Sequence, residues 1–390
     1  MQIPELTSFN LNGQRVLIRE DLNVPISEGE VSSDARIQAA LPTLRYALGQ
    51  GAKVIVMSHL GRPREGVPVA DQPEVSLAPV ARQLARLTGY RVQLIDNYID
   101  GFELPEADIV LLENVRINRG EAANDDGLAR KLAALCDIFV MDAFGTAHRA
   151  QASTAGITAF APLACAGPLL TAELKALSKA LQAPRQPVVA IVGGSKVSSK
   201  LEVLDALSEK VDALIVGGGI ANTFLAASGV RVGRSLHEPA LLDAARRIQA
   251  KVQVPLPVDV VVGNSLSPGG QARISPINAV RDDEMILDIG PQTQAKCSEI
   301  ITPAGTIIWN GPVGVFELPA FSAGTRAIAD TVARNEGFSI AGGGDTLAAI
   351  EQFGITDQVS YISTGGGAFL EFVEGKALPA VVALQARSSN

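Results

Sequence analysis

The stretch Val188-Val189-Ala190-Ile191-Val192-Gly193-Gly194-Ser195-Lys196-Val197-Ser198-Ser199-Lys200 decides the fold. Its first five residues are apolar and mostly β-branched, which reads as a strand buried on both faces. Two glycines then permit a sharp turn, and a segment of helical spacing is expected to begin after Gly194. The same unit recurs along the chain. Lys53–Met57 runs into Ser58-His59-Leu60-Gly61-Arg62, Ile109–Leu112 into Glu113-Asn114-Val115-Arg116, and Ile138–Met141 into Asp142-Ala143-Phe144-Gly145. Further on, Ala213–Val216 leads to Gly217-Gly218-Gly219, Ser339–Ala341 to Gly342-Gly343-Gly344-Asp345, and Ser360–Ser363 to Thr364-Gly365-Gly366-Gly367. Buried strands alternating with helical segments predict an α/β chain built on parallel, doubly wound, Rossmann-like sheets with helices on both faces.

With 390 residues, the chain is expected to form two domains. A helix capped by Thr171, running through Leu174, Leu177 and Leu181 and stopped by Pro184, lies between the two series of units. It is predicted to connect a domain over 1–170 to one over 185–375, with 171–184 as the hinge. Another helix is expected from a Ser76 cap to Gly89. No charged residue occurs between Arg149 and Glu173, but Ser153, Thr154, Thr158, Pro162 and Pro168 disfavour a membrane span. That stretch is expected to be a buried crossover between the domains.

Composition excludes several classes. A net charge of −8 argues against a basic nucleic-acid platform, while leaving room for local anion sites. At 47% hydrophobic residues the chain is not a disordered one. Aromatic residues are only 4% of the chain, so stacking is not its main binding device. Cys136, Cys165 and Cys297 form no CxxC pair and read as free thiols in a reducing compartment. His59, His148 and His237 lack zinc-ligand spacing. Residues Met1–Glu5 do not look like a signal peptide, so a cytoplasmic location is expected.

The two halves present different chemistry at their strand ends, where ligands of open α/β sheets bind. The first presents Arg19, Arg36, Arg62, Arg116 and Arg149, with His59 and His148 beside two of them. Arginine grips carboxylate and phosphate bidentately, and Asp21 and Asn23 nearby suit a hydroxyl group. A solvated surface role is the plain alternative for any one of these arginines. The second half presents glycine triplets, which allow close approach of backbone N–H groups to a phosphate or serve simply as turns. Lys196 and Lys200 are expected on one face of a helix start, holding an anion there or lying as surface lysines. Asp345 reads either as a helix N-cap or as a carboxylate for Mg²⁺ carried by nucleotide phosphates. There is no GxxxxGK[ST] and no GxGxxG, which weakens P-loop and dinucleotide readings. A nicotinamide-dependent dehydrogenase and a non-catalytic two-domain anion binder remain as alternatives.

Longer motifs carry a resemblance. Arg19-Glu20-Asp21-Leu22-Asn23-Val24-Pro25, Ser33-Asp34-Ala35-Arg36-Ile37, Ser58-His59-Leu60-Gly61-Arg62-Pro63, Glu113-Asn114-Val115-Arg116 and Gly145-Thr146-Ala147-His148-Arg149-Ala150 resemble, in order, motifs of the phosphoglycerate kinases. So do residues 193–200, Trp309-Asn310-Gly311-Pro312-Val313-Gly314-Val315-Phe316-Glu317, Gly342-Gly343-Gly344-Asp345-Thr346 and Ser363-Thr364-Gly365-Gly366-Gly367-Ala368. The resemblance implies reversible transfer of the acyl phosphate of 1,3-bisphosphoglycerate to ADP by a monomer, after hinge closure. It implies that Asp21, Leu22, Asn23, Arg36, His59, Leu60, Gly61, Arg62, Arg116 and Arg149 hold 3-phosphoglycerate. Among these, Arg62, Arg116 and Arg149 would form the patch for its phosphate. Lys196, Lys200, Gly217, Gly218, Gly219, Asn310, Glu317, Gly343, Gly344, Asp345 and Thr346 are implied to hold Mg-ADP or Mg-ATP, with Asp345 near Mg²⁺. Arg36, Lys196, Lys200, Gly366 and Gly367 are implied to attend the phosphoryl group in transfer. The segment 376–390 is implied to pack back on the first domain. Glu20 and Ile117 depart from the family pattern, which generally has a small or apolar residue at the first position and an aromatic at the second.

Overall fold

The computed structural model describes residues 3–267 and 271–387. The chain divides into two compact units, Met1–Lys175 with Ala377–Asn390, and Ala176–Lys376. In the first, the strands are β1 (Arg15–Arg19), β2 (Ile26–Ser27), β3 (Glu30–Val31), β4 (Lys53–Met57), β5 (Val92–Ile95), β6 (Ile109–Leu112), β7 (Ile138–Met141) and β8 (Leu163–Ala166). Six of them form a parallel sheet in the order β5-β6-β4-β1-β7-β8. The helices are α1 (Ala35–Gly49), α2 (Ala78–Thr88), α3 (Asp126–Ala134), α4 (Ile157–Phe160) and the start of α5 (Pro168–Leu181). Val16, Ile18, Val54 and Val56 share a core with Leu41 and Leu44 of α1 and Leu77, Val80 and Leu84 around α2.

In the second unit, α6 (Leu201–Ser208), α7 (Gly218–Ala227), α8 (Leu242–Lys251), α9 (Pro291–Ile301), α10 (Ala323–Arg334), α11 (Gly344–Phe353) and α12 (Gly366–Val373) accompany eight strands. Strands β9 (Val188–Val192), β10 (Ala213–Val216), β14 (Thr306–Asn310), β15 (Phe338–Gly342) and β16 (Tyr361–Ser363) form a parallel sheet ordered β10-β9-β14-β15-β16. A second sheet, β12-β11-β13, is antiparallel and was not expected from the sequence; it joins β11 (Asp259–Gly263), β12 (Arg273–Pro276) and β13 (Met285–Ile289). The last helix, α13 (Pro379–Arg387), belongs to the first unit, where Ala380 N–H donates to the Ala147 carbonyl and Arg387 Nη2 to that of Ala161.

Three local expectations change. Thr171 is not a cap: α5 begins at Pro168, and Thr171 N–H already donates to the Gly167 carbonyl. The division between units falls inside this helix, after Lys175. The uncharged stretch before Glu173 is not a crossover between domains. It forms a short π-helix (Ala152–Gly156), α4, edge strand β8 and the start of α5, all within the first unit. Small and hydroxyl side chains suit that packed path, and no helix among the described residues is long and apolar enough to cross a membrane. The helix expected directly after Gly194 begins only at Leu201.

Candidate active site

In the first sheet β1 is central, with β4 on one side and β7 on the other, so the connections leave it in opposite directions. The C-terminal ends of β1, β4 and β6 therefore converge. Gly61 N–H donates to Asn23 Oδ1 at 2.8 Å, and Leu22 N–H to Ser58 Oγ at 2.8 Å, tying the β1 end to the β4 end. Asn114 Nδ2 holds the carbonyls of Leu60 and Val75 at 2.7 and 2.8 Å. Arg116 Nη1 reaches the Gly61 carbonyl at 3.1 Å. Arg36, from the first turn of α1, donates to Asp21 Oδ1 at 3.1 Å and to the Asn23 carbonyl at 2.8 Å. Asp21, Leu22, Asn23, Arg36, His59, Leu60, Gly61 and Arg116 are thus one connected cluster. Arg62 and Arg149 are exposed, the latter with Nε donating to His148 Nε2 at 3.4 Å.

Burial and crowded cations together set the electrostatics of this cluster. Burial pushes the His59 pKa well below its usual value, and Arg19, Arg116, Arg149 and Arg36 push it further. His59 is therefore neutral at pH 7. Arg19 Nη2 lies 3.2 Å from His59 Nδ1, and a guanidinium only donates, so Nδ1 accepts and the ring proton sits on Nε2. Burial, Arg149 and Arg19 lower Arg116 to about 10. Its Nε is buried and has no hydrogen-bond partner.

Arg19 anchors the cluster, a role its place in the sequence did not assign. It is fully buried, bonded to Ser153 Oγ at 3.1 Å, while Ser153 Oγ donates to Glu121 Oε1 at 2.5 Å. A cation ending an apolar strand was the available signal. Glu121 and Ser153 carried none, since only the folded chain brings them to Arg19.

In the parallel sheet of the second unit β9 lies between β10 and β14, and the turns after β9, β10, β14 and β15 gather. Here the glycines separate into two kinds. A Cβ on Gly193 would lie 1.7 Å from the Pro312 carbonyl oxygen, one on Gly217 would lie 2.4 Å from Val313 Cα, and one on Gly219 would lie 2.1 Å from the Ser195 carbonyl oxygen. Those glycines let backbone pack on backbone. A Cβ on Gly344 or Gly366 would meet nothing within 4 Å. Those two begin α11 and α12, where free N–H groups face outward.

Lys200 Nζ donates to the carbonyls of Gly193 at 2.5 Å and Asn310 at 3.0 Å, and burial lowers its pKa to about 8 while Asp345 acts against that. Lys196 is exposed. The two do not share a helix face as expected, because the chain between them is turn. Asn310 Nδ2 donates to the Gly342 carbonyl at 2.6 Å, and its Oδ1 is buried without a partner. The Thr346 hydroxyl is engaged internally, accepting from Gly311 N–H at 2.7 Å and donating to the Gly342 carbonyl at 2.9 Å. Asp345 is exposed in the first turn of α11, where Gly343 provides no side-chain cap, and Glu317 is exposed beyond the β14 turn. Gly218 has φ +64° and Gly343 φ +100°, both at turns into helices. Gly367 lies in the first turn of α12.

The phosphoglycerate kinase family model matches residues 6–376. The structure of phosphoglycerate kinase from Coxiella burnetii is 53% identical, covering 99% of this chain and 100% of that one with a TM-score of 0.93. That from Pyrococcus horikoshii OT3 is 32% identical, covers 99% and 100%, and has a TM-score of 0.84. The dehydrogenase and non-catalytic alternatives fall with these matches. A family model spanning nearly the whole chain, two parallel sheets whose strand ends gather arginines in one unit and glycine turns in the other, and full-length relatives of the same fold lead to one conclusion: the chain belongs to the phosphoglycerate kinase family, and its activity is reversible phosphoryl transfer between 1,3-bisphosphoglycerate and ADP.

Proposed function

We propose that the first unit holds 3-phosphoglycerate or 1,3-bisphosphoglycerate, and that the second holds Mg-ADP or Mg-ATP. The observation that carries this reading is the cation cluster around neutral His59, in a chain of net charge −8. Arginines that lower the pKa of Arg116 and of His59 are costly unless an anion joins them. Arg116, with its unpartnered Nε, and the exposed Arg62 and Arg149 would take the 3-phosphate. Asp21, Asn23 and the His59 Nε2–H would orient the hydroxyl and carboxyl end. Leu22, Leu60 and Gly61 wall that end, and Arg36 faces the transferred group.

In the second unit, Gly217–Gly219 and Glu317 would receive adenine and ribose, and Lys200, Asn310 and Gly343–Thr346 the phosphates. Lys196 is the exposed cation for the phosphoryl group, with Gly366 and Gly367 offering N–H groups. The described residues hold no group of three or more His, Cys, Asp or Glu that could bind a metal. The single exposed carboxylate of Asp345 therefore fits Mg²⁺ held mainly by phosphates and water. Such an ion supplies charge neutralisation on the nucleotide oxygens. The nucleophile in the ATP-consuming direction is a carboxylate already ionised at pH 7, so no general base is required. Positioning and charge neutralisation then carry the reaction. The shared helix α5 is the proposed hinge that brings the ligands into line, and the enzyme acts as a cytoplasmic monomer. ADP formation from Mg-ATP in a coupled assay tests the reading. Turnover should require both 3-phosphoglycerate and Mg²⁺; turnover without the acid would refute it.

A further inference from the structure

Glu20 follows Arg19 at the end of β1 and is fully buried, and neither of its carboxyl oxygens receives an N–H or hydroxyl donor. Arg19 does not neutralise it: that guanidinium is spent on the Glu20 main-chain carbonyl, Ser153 Oγ and His59 Nδ1. The group that the Glu20 carboxyl meets is a second carboxyl, Asp142, just after β7. Two carboxyls can bond only by sharing a proton. Asp142 is the better anion. It accepts from Thr43 Oγ1 at 2.5 Å and from Leu170 N–H at 2.9 Å, in the first turn of α5 where the helix dipole favours negative charge. The proton therefore belongs to Glu20.

We infer that Glu20 is a neutral acid whose O–H donates to the Asp142 carboxylate, fastening the Asp21 strand end to the first turn of α5, and that it acts as a positioning residue for the glycerate end of the substrate. The functional half rests on the proposed contact between Asp21 and the acid. Asp21 is the next residue, and its carboxylate holds Arg36 and the Asn23 N–H, at 3.1 and 3.2 Å. Movement of Glu20 would shift that arrangement directly.

The titratable and charged groups facing the pair are Arg19 and Asp21 from the β1 end and the buried Cys165 thiol from β8. Thr43 from α1 and Leu170 from α5 contribute uncharged donors, and Glu173 is the next carboxyl along α5. Burial and Asp142 raise the Glu20 pKa well above its ordinary value, with Arg19 acting against them. The folded chain thus keeps a proton that the unfolded chain has lost, so stability falls as pH rises from the ordinary carboxyl range toward the folded value.

The test is to measure Tm and the KM for 3-phosphoglycerate from about pH 6 to about pH 9 in wild type, Glu20→Gln and Glu20→Ala. Glutamine keeps a donor but cannot titrate. It should hold the neutral-pH KM within about twofold and flatten the alkaline decline in Tm and rise in KM. Alanine should raise the neutral-pH KM about fivefold or more, since the link from the Asp21 strand end to Asp142 is lost. Wild-type slopes persisting in Glu20→Gln would overturn the proposal, as would a glutamine KM as poor as that of alanine. Asp21→Asn separates the two layers. An unchanged KM there would refute the substrate contact and with it the positioning half, while the Tm slope of Glu20→Gln judges the carboxyl pair independently.

Discussion

The strand ends of the two units are built of opposite materials. In the first unit the charge is carried by side chains: Arg19, Arg36, Arg116 and Arg149 crowd a neutral His59. In the second the main material is backbone. Glycine turns bring strand ends together, two lysines supply charge, and the starts of α11 and α12 offer N–H groups. Each material has its own weakness. Clustered arginines repel, and burial together with Arg149 and Arg19 lowers Arg116 to about 10. Backbone donors carry no net charge, but the glycine turns that pack the strand ends together, at Gly193, Gly217 and Gly219, have no room for a Cβ. The first unit should therefore be sensitive to changes of charge and the second to changes of bulk.

The largest expected effect tests the exception to that contrast, the exposed Lys196. Lys196→Ala should lower kcat about 1,000-fold with little change in either KM, because its charge is needed only where phosphoryl charge develops. Initial rates decide this; equal losses in KM would make it an ordinary binding residue.

Next comes a pair of glycines. Gly193→Ala drives a methyl against the Pro312 carbonyl at 1.7 Å, and should cost about 3 kcal/mol of stability. Gly344→Ala adds a methyl in open space. It should leave Tm unchanged while raising the nucleotide KM about tenfold, by holding phosphate away from the α11 N–H groups. Similar Tm losses in both would collapse the division between packing and ligand glycines.

Smaller again is Arg116→Gln. It should raise the KM for 3-phosphoglycerate about tenfold without lowering Tm, since it relieves repulsion in the free enzyme. A marked fall in Tm would mean that the guanidinium is structural.

The smallest effect is a pH slope. Lys200 titrates near about 8 in the folded chain, below its ordinary 10.5. A desolvated charge destabilises the fold below that value and is relieved as pH rises through it, so Lys200 makes stability increase between about 8 and about 10.5. Lys200→Met should remove this component from the Tm profile. The nucleotide KM of the wild type should rise over the same range as the charge is lost.

Much of this was legible in the sequence because strand and turn are local. Continuous apolar runs ending in glycine or in polar clusters marked Lys53–Met57, Ile109–Leu112, Ile138–Met141 and Val188–Val192 at their observed limits. The antiparallel sheet was not legible, since Arg273–Pro276 carries no apolar run to announce a partner for the buried Asp259–Gly263. The helix face expected for Lys196 and Lys200 was read from spacing alone. The fold instead uses the turn to bury the Lys200 ammonium against two carbonyls. Thr171 looked like a cap because it precedes a helical pattern, but Asp142, from the end of β7, supplies the acceptor at α5.

Residues adjacent in the chain were enough to read the alternation of strands and helices, the two parallel sheets and the family. Folding was needed to show which glycines serve packing and which stand open, that His59 is neutral with its proton on Nε2, and that Glu20 faces another acid. Those properties depend on burial and on neighbours distant in sequence: a proton's position and a Cβ's clearance are set by what surrounds the group in space.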